Sequence, residues 1–327
     1  MMDSYKTNVC DLTEIHSCPV CGSHMINDYL RLPFCKSDVE DYLFRYYDKS
    51  GSMDRAIYGE IFLEQNYILA KCKRCGVAFQ RNRPGPNISK IVYDLWISSK
   101  SSGLSAALNL SSVDVLHNFS EAIKLVTLAS KSTGVNALPE IRALDHGMGN
   151  GFFALAMKAC LIDVTGTEFS SDRLEFGRNN GIKTLHVNEK LPYNYFDLIN
   201  TEQVMEHVPD PRETIEKLSK SLKKGGILKI SVPHSASIEK ADLKINWHAR
   251  RYAPNSPMPL APLEHLQYYP RSCRKIIACD YDLDIIKMPF YYHLIYGNRW
   301  NISGAIRNIG RAFFLNSYRN YFLFRKK

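Results

Sequence analysis

Residues 141 to 151 read Ile-Arg-Ala-Leu-Asp-His-Gly-Met-Gly-Asn-Gly: an apolar strand ending in Asp145, then Gly147, Gly149 and Gly151, with an apolar helical pattern from Phe152. Glycines at alternate positions let a strand turn sharply into a helix and let a ligand lie directly against backbone that carries no side chains. Strand, glycine loop and helix in this order begin a βαβ unit and call for a parallel sheet. The ligand that suits such a loop is a nucleoside. A dinucleotide fingerprint needs its third glycine three positions after the second, where this chain has Phe152, so NAD is disfavoured.

The next hundred residues support a nucleoside site. Ile162 to Thr167 is a second apolar strand ending at Glu168, 17 residues past Gly151, where a neighbouring parallel strand delivers a carboxylate to ribose hydroxyls. Phe196-Asp197 then enters a further strand, Glu206-His-Val-Pro-Asp-Pro211 follows it, and Lys224-Gly-Gly226 precedes the strand Ile227 to Val232. With an Asp two residues before the first of three alternating glycines, this order of parts resembles the class I S-adenosylmethionine-dependent methyltransferases of the broad small-molecule group, over about residues 140 to 285. The resemblance implies a Rossmann-like α/β sheet with helices on both faces. It also implies that Asp145, Gly147, Gly149, Gly151 and Glu168 hold S-adenosylmethionine, that Thr201, Glu202 and Gln203 border its adenine and methionine parts, and that Asn188 lies near the adenine. Asp197 and the Glu206-His207 pair suit a fold-holding role as well as a ligand-touching one.

A chain of 327 residues exceeds one core of ordinary size, and its cysteines mark a second module. Cys18-Pro-Val-Cys21-Gly22 and Cys72-Lys-Arg-Cys75-Gly76 form two matched knuckles. In each, two thiolates grip one face of a tetrahedral zinc while the glycine makes the tight turn, so the pair predicts a closed four-cysteine structural zinc site with no position open for catalysis. An acidic, helix-like stretch from Ser37 to Tyr47 lies between the knuckles. The expected organisation is a zinc module over residues 1–90, a methyltransferase domain over 91–290 and a basic aromatic tail over 291–327. No secretory signal or apolar run of membrane-spanning length is evident, so a cytoplasmic location is expected.

A zinc module, a lead helix over residues 112 to 130 and this core resemble a group that modifies sugars and cell-envelope glycans, including the sugar C-methyltransferases. Pro262-Leu-Glu264-His265 resembles the Glu-His segment that supplies their general base, although Leu263 stands where they usually carry another His. His265 is therefore the base candidate with Glu264 orienting it, and His234, just after Ser231-Val-Pro233, is a further substrate-facing candidate. The insertion Trp247 to Pro262 reads as a lid or substrate wall, in which His248, Arg250 and Arg251 suit either an anionic substrate or solvent.

Of the formal charge of +9, nearly all belongs to residues 285 to 327, which hold eight Lys or Arg and no Asp or Glu. There Ile302, Ile306, Ile309 and Phe313 make an apolar stripe beside Arg307 and Arg311, followed by the aromatics of Tyr318 to Phe324. Such a segment suits either peripheral contact with an anionic membrane surface or packing on the core. Methylation of oxygen or carbon on a sugar nucleotide or glycan precursor is the favoured activity. The alternative is an RNA methyltransferase that grips RNA with the zinc module and tail, disfavoured because the rest of the chain carries no large basic excess.

Overall fold

The computed structural model describes residues 11–48, 51, 53–96, 110–235, 238, 245–253, 255–296 and 321–327. In chain order its strands are β1 (Leu12–Glu14), β2 (Ile26–Pro33), β3 (Asn66–Cys72), β4 (Ala78–Gln80), β5 (Asn82–Pro84), β6 (Arg142–His146), β7 (Asp163–Glu168), β8 (Lys183–His186), β9 (Phe196–Glu202), β10 (Leu222–Ser231), β11 (Gln267–Tyr268), β12 (Leu283–Ile286) and β13 (Tyr321–Lys326). They divide between two compact units, each discontinuous in sequence.

The first unit draws on the chain up to residue 99 and on residues 206–211 and 233–273. Its four-stranded antiparallel sheet has the order β11-β4-β3-β2, and β1 pairs with β5. The acidic stretch after Ser37 folds as a helix, α1 (Asp38–Tyr47). Its start follows from local chemistry: the Ser37 hydroxyl accepts from the Val39 N–H, and Asp38, Glu40 and Asp41 sit at the positive end of the helix dipole. Val39, Tyr42, Leu43 and Tyr47 face an aromatic core shared with Phe34, Phe62, Tyr67 and Trp247. Within it the Tyr67 and Trp247 rings meet edge to face at 5.8 Å, an arrangement favoured by the ring quadrupoles.

One buried amide shapes the segment that carries Glu264 and His265. The Gln80 Nε2 donates to the carbonyls of Ala261 (2.8 Å) and His265 (2.7 Å), while its Oε1 accepts from the Leu263 N–H at 3.1 Å. Leu263 sits in the left-handed region (φ 65°), a conformation that these bonds hold in place. Leu266 N–H donates to the Glu206 carbonyl at 2.7 Å, which fastens the same segment to the chain downstream of β9.

The second unit comprises residues 100–205, 212–232 and 274–327. Its sheet has the order β12-β13-β10-β9-β6-β7-β8; β8, β7, β6, β9 and β10 are parallel, and β13 runs antiparallel to both neighbours. A parallel strand buried on both sides reads as a continuous apolar run, and Phe196 through Thr201 of β9 are all buried. The lead helix α2 (Ser112–Thr133) opens with a capping box between Ser111 and Asp114 and stops at Gly134, in the left-handed conformation. Parallel crossovers are right-handed, so the reversal of strand order between β6 and β9 sends α3 (Phe152–Ala159) and α4 (Pro211–Ser221) to opposite faces. That reversal is the switch point where open sheets bind ligands, beyond the carboxyl ends of the strands.

The expected basic tail is corrected in part. Residues 297 to 320, which carry the Ile302, Ile306, Ile309 and Phe313 stripe, lie outside the described residues. Tyr321–Lys326, however, is a sheet strand with Phe322, Leu323 and Phe324 buried between β10 and β12. A short continuous run of apolar side chains ending in Arg-Lys satisfies a strand covered on both faces as readily as a membrane-surface segment, and the edges of β10 and β12 decide between them. Among the described residues no helix is long and apolar enough to cross a membrane.

Candidate functional site

In the second unit the glycine loop leaves β6 at the switch point. Asp145, at the end of β6, is buried and accepts from the Asn200 side-chain amide of β9 at 2.7 Å. Gly147, with φ 69°, passes so close to Val204 that an added Cβ would stand 2.5 Å from Cγ2. Gly149, with φ 55°, faces open space: nothing lies within 4 Å of where its Cβ would be. Gly151 caps α3, and its carbonyl accepts from Leu155 N–H at 2.8 Å. The loop is therefore pinned at both ends and bare in the middle, as a ligand lying on its backbone requires.

Glu168 at the end of β7 reaches this loop. One carboxylate oxygen accepts from the Gly149 N–H at 2.9 Å, and the other accepts from the Phe169 (2.9 Å) and Ser170 (3.2 Å) N–H groups. The carboxylate thus sets the loop's shape and retains lone pairs for a ribose hydroxyl. Beyond β9, Thr201 is buried with no hydrogen-bond partner for its hydroxyl, Gln203 has φ 52° and donates its N–H to the Ser231 carbonyl, and exposed Glu202 pairs with Lys229 and Ser231. Asn188 is exposed in the loop after β8. Lys217 of α4 steadies that loop by donating to the Val187 (2.8 Å) and Glu189 (2.7 Å) carbonyls, a role without a sequence signal.

The first unit holds two clusters. The Cys18, Cys21, Cys72 and Cys75 sulfurs lie within 4.8 Å of one another and all four residues are buried. Cys18 Sγ is 3.5 Å from Cys75 Sγ, and Cys21 Sγ is 3.5 Å from Cys72 Sγ. The two knuckles fold alike: Gly22 N–H returns to the Cys18 carbonyl (2.8 Å), and Gly76 N–H returns to the Cys72 carbonyl (2.9 Å). Sulfur hydrogen bonds from Cys18 and Cys75 favour ionisation of Cys72, whose value they push down, while the same contacts push Cys18 up to about 12 and Cys75 up as well, so the thiols do not all ionise by themselves. A bound cation is what lets all four ionise together.

The second cluster surrounds Glu264 and His265. Burial, reinforced by nearby His207, lowers His265 to about 4, so its imidazole is neutral at pH 7. Burial alone would raise the Glu264 carboxyl; His265, the Tyr47 hydroxyl, His207 and Arg251 together outweigh it and hold it below the usual range. Arg251 donates to Glu264 Oε2 at 3.1 Å, and Tyr47 donates to the same oxygen. The His207 and His265 rings meet edge to face at 4.7 Å. His234 stands elsewhere in this unit, its Nδ1 3.3 Å from the Tyr268 hydroxyl. Of the insertion's basic side chains, Arg251 thus serves Glu264, and His248 lies 3.3 Å from Asp38.

Residues 116–287, more than half of the chain, match the methyltransferase-domain family. The chain belongs to that family. The strand order of the second unit is accordingly that of a Rossmann-like class I methyltransferase. The ubiquinone biosynthesis O-methyltransferase of Haemophilus ducreyi is 31% identical over 113 residues, which cover 30% of this chain and 48% of that protein. The Vibrio cholerae protein of the same name (classical Ogawa strain) is 32% identical over 102 residues, covering 28% of this chain and 41% of its own length. The chain therefore spans less than half the length of these relatives. Among solved structures, the plantazolicin methyltransferase BpumL in complex with SAH is 14% identical with a TM-score of 0.43, over 73% of this chain and 96% of that one.

The methyltransferase domain stores an electrostatic cost at Asp145. Burial raises its carboxyl to about 6, against a partial opposing effect of the Asn200 hydrogen bond. A folded-state value above the unfolded one means that the stability Asp145 contributes is present at acid pH and is lost as pH rises through about 6. A rise of this size corresponds to about 3 kcal/mol. Asp145→Asn keeps an acceptor for Asn200 and is expected to stabilise the ligand-free protein at pH 7.5 while leaving it little changed at pH 4. Thermal unfolding at both values checks this; equal shifts at both would refute it.

Proposed function

We propose that the chain transfers a methyl group from S-adenosylmethionine to an oxygen or carbon of a small molecule, with a sugar nucleotide or a cell-envelope glycan precursor as acceptor. The observation that carries the cofactor part is the bare Gly149 backbone with the Glu168 carboxylate bonded to its N–H. Membership of the methyltransferase-domain family supports the reaction type, and relatives named O-methyltransferases support oxygen as acceptor. His265, with Glu264 beside it, is the group proposed to act on the acceptor. Its Nδ1 faces the Met258 carbonyl at 2.6 Å, which leaves Nε2 with the lone pair that a proton acceptor needs.

The four thiols are proposed to hold one structural zinc. Two matched knuckles, complete burial and an all-sulfur donor set support this, because thiolate-only tetrahedral sites are closed to water and serve folding rather than catalysis.

One experiment tests the activity. Methyl-labelled S-adenosylmethionine is incubated with the protein and fractionated extract, and label is sought in nucleotide sugars, lipid-linked glycans and RNA. Label should enter a sugar-containing fraction, and His265→Ala should reduce transfer by about 100-fold or more while calorimetry with S-adenosylhomocysteine shows unchanged affinity. Label only in RNA would overturn the acceptor class. Affinity unaffected by both Gly149→Arg and Glu168→Ala would overturn the cofactor site.

A further inference from the structure

Among the described residues of the first unit, a second group of side chains besides the four thiols gathers metal-ligating atoms: Glu206, His207 and His265 each present one, all within 4.8 Å of one another. We propose that these three residues bind a divalent transition-metal ion through one carboxylate oxygen and two imidazole nitrogens. The proposal goes beyond methyl transfer and does not depend on it.

Tautomers come first. His207 Nδ1 lies 3.0 Å from the Glu264 carbonyl, and His265 Nδ1 lies 2.6 Å from the Met258 carbonyl. A carbonyl only accepts, so each Nδ1 carries the proton and each Nε2 carries a lone pair. An imidazole whose Nδ1–H is anchored on a backbone carbonyl and whose Nε2 is presented to a cluster has the outer arrangement of a metal-bound histidine. The Tyr93 hydroxyl, 3.2 Å from His207 Nδ1, contacts the anchored edge of that ring and leaves Nε2 clear.

Spacing and bracing follow. His207 Nε2 lies 3.9 Å from Glu206 Oε1. Bonds of about 2.1 Å to a common ion bring ligand atoms within about 4 Å of one another, so the His207–Glu206 pair already stands at that spacing and the whole cluster lies within 4.8 Å. The backbone beneath is braced. Leu266 N–H holds the Glu206 carbonyl, Gln80 holds the His265 carbonyl, and Gln267 Nε2 donates to the Val208 carbonyl at 2.9 Å. The ligands are thus carried on two segments tied together independently of any ion.

Charge and donor chemistry agree. Glu206 is fully buried, and a second carboxylate, Glu264, stands 3.9 Å from His265 Nε2. Two carboxylates among buried imidazoles favour a cation. Arg251 and Tyr47 engage Glu264, and Glu206 is the carboxylate whose oxygen stands in the cluster with the two imidazoles. One carboxylate with two imidazoles suits zinc, iron(II) or cobalt(II), unlike the all-sulfur set of the cysteines. Three protein ligands leave coordination positions for water or for an oxygen of a bound molecule. An ion there takes up the Nε2 lone pair of His265, so the metal-bound residue and the free proton acceptor are alternative states of one side chain.

Cobalt(II) added to the purified full chain, with zinc already supplied to the thiols, tests the site in the absence of any methyl donor. One further equivalent should bind, with ligand-field absorption and no thiolate charge-transfer band. Glu206→Gln and His265→Ala should each weaken this binding by about 100-fold or more. Uptake unchanged in both variants overturns the site. Because Glu206 is buried and its variant also perturbs folding, X-ray absorption at the cobalt edge of the unsubstituted protein provides a second measurement. It should show imidazole scattering without sulfur, and a shell containing sulfur or lacking imidazole overturns the proposal.

Discussion

Cys72→Ser is expected to remove the zinc held by the thiols, about one ion per chain, and to unfold the sheet of the first unit. Cys72 ends β3, pairs with Ile26 across β2, and receives Gly76 N–H on its carbonyl, so the same residue closes a strand register and a metal knuckle. Binding of a structural zinc supplies about 10–16 kcal/mol in small zinc modules, as much as the whole stability of an ordinary domain. Serine is nearly isosteric with cysteine but ligates zinc far less well. Of the three remaining thiols, Cys18 and Cys75 would stay 3.5 Å apart without the cation that lets them ionise together. Metal analysis and limited proteolysis of residues 11–96 check this together. Zinc content unchanged in Cys72→Ser, and likewise in Cys18→Ser, would mean that the metal resides elsewhere.

The second large effect separates two glycines that look equivalent in sequence. Gly147→Ala should destabilise the protein by about 2–4 kcal/mol, since the new methyl meets Val204 in a left-handed backbone and must displace a packed side chain. Gly149→Ala meets nothing and should cost about 1 kcal/mol of conformational strain, yet it places a methyl on the surface proposed for the nucleoside. The expected pattern is a large fall in melting temperature for the first variant, and near-parental melting with weakened S-adenosylhomocysteine binding for the second. Reversal of that pattern would show that the ligand does not lie on Gly149.

What the sequence made legible is what local chemistry encodes. The glycine loop is a contiguous strand, turn and helix. Glu168 is placed by the length of one βα unit, and the thiols declare themselves through two matched spacings. Residues whose roles arise from distant pairing gave no such signal. Gln80 holds the Glu264 and His265 segment across more than 180 positions of sequence, as Tyr47 holds Glu264 across 217. His207 meets His265 where Leu266 is fastened to Glu206 and Gln267 to Val208. Arg251, which the insertion offered to an anionic substrate, is engaged by Glu264. A polar side chain in a short window of sequence does not reveal whether its partner is solvent, a ligand or a residue two hundred positions away.

The position of β13 carries a consequence for synthesis. It follows every other described strand in sequence but lies second in the sheet, and both β10 and β12 bond to it. While residues 321–326 remain inside the ribosome, β10 presents an open edge and β12 has no strand to join. The parallel half of the sheet can assemble co-translationally, but the sheet is complete only once this segment has emerged and paired. A chain stalled short of Tyr321 would therefore expose a bare strand edge to pairing with other nascent chains, a hazard for chaperones to cover.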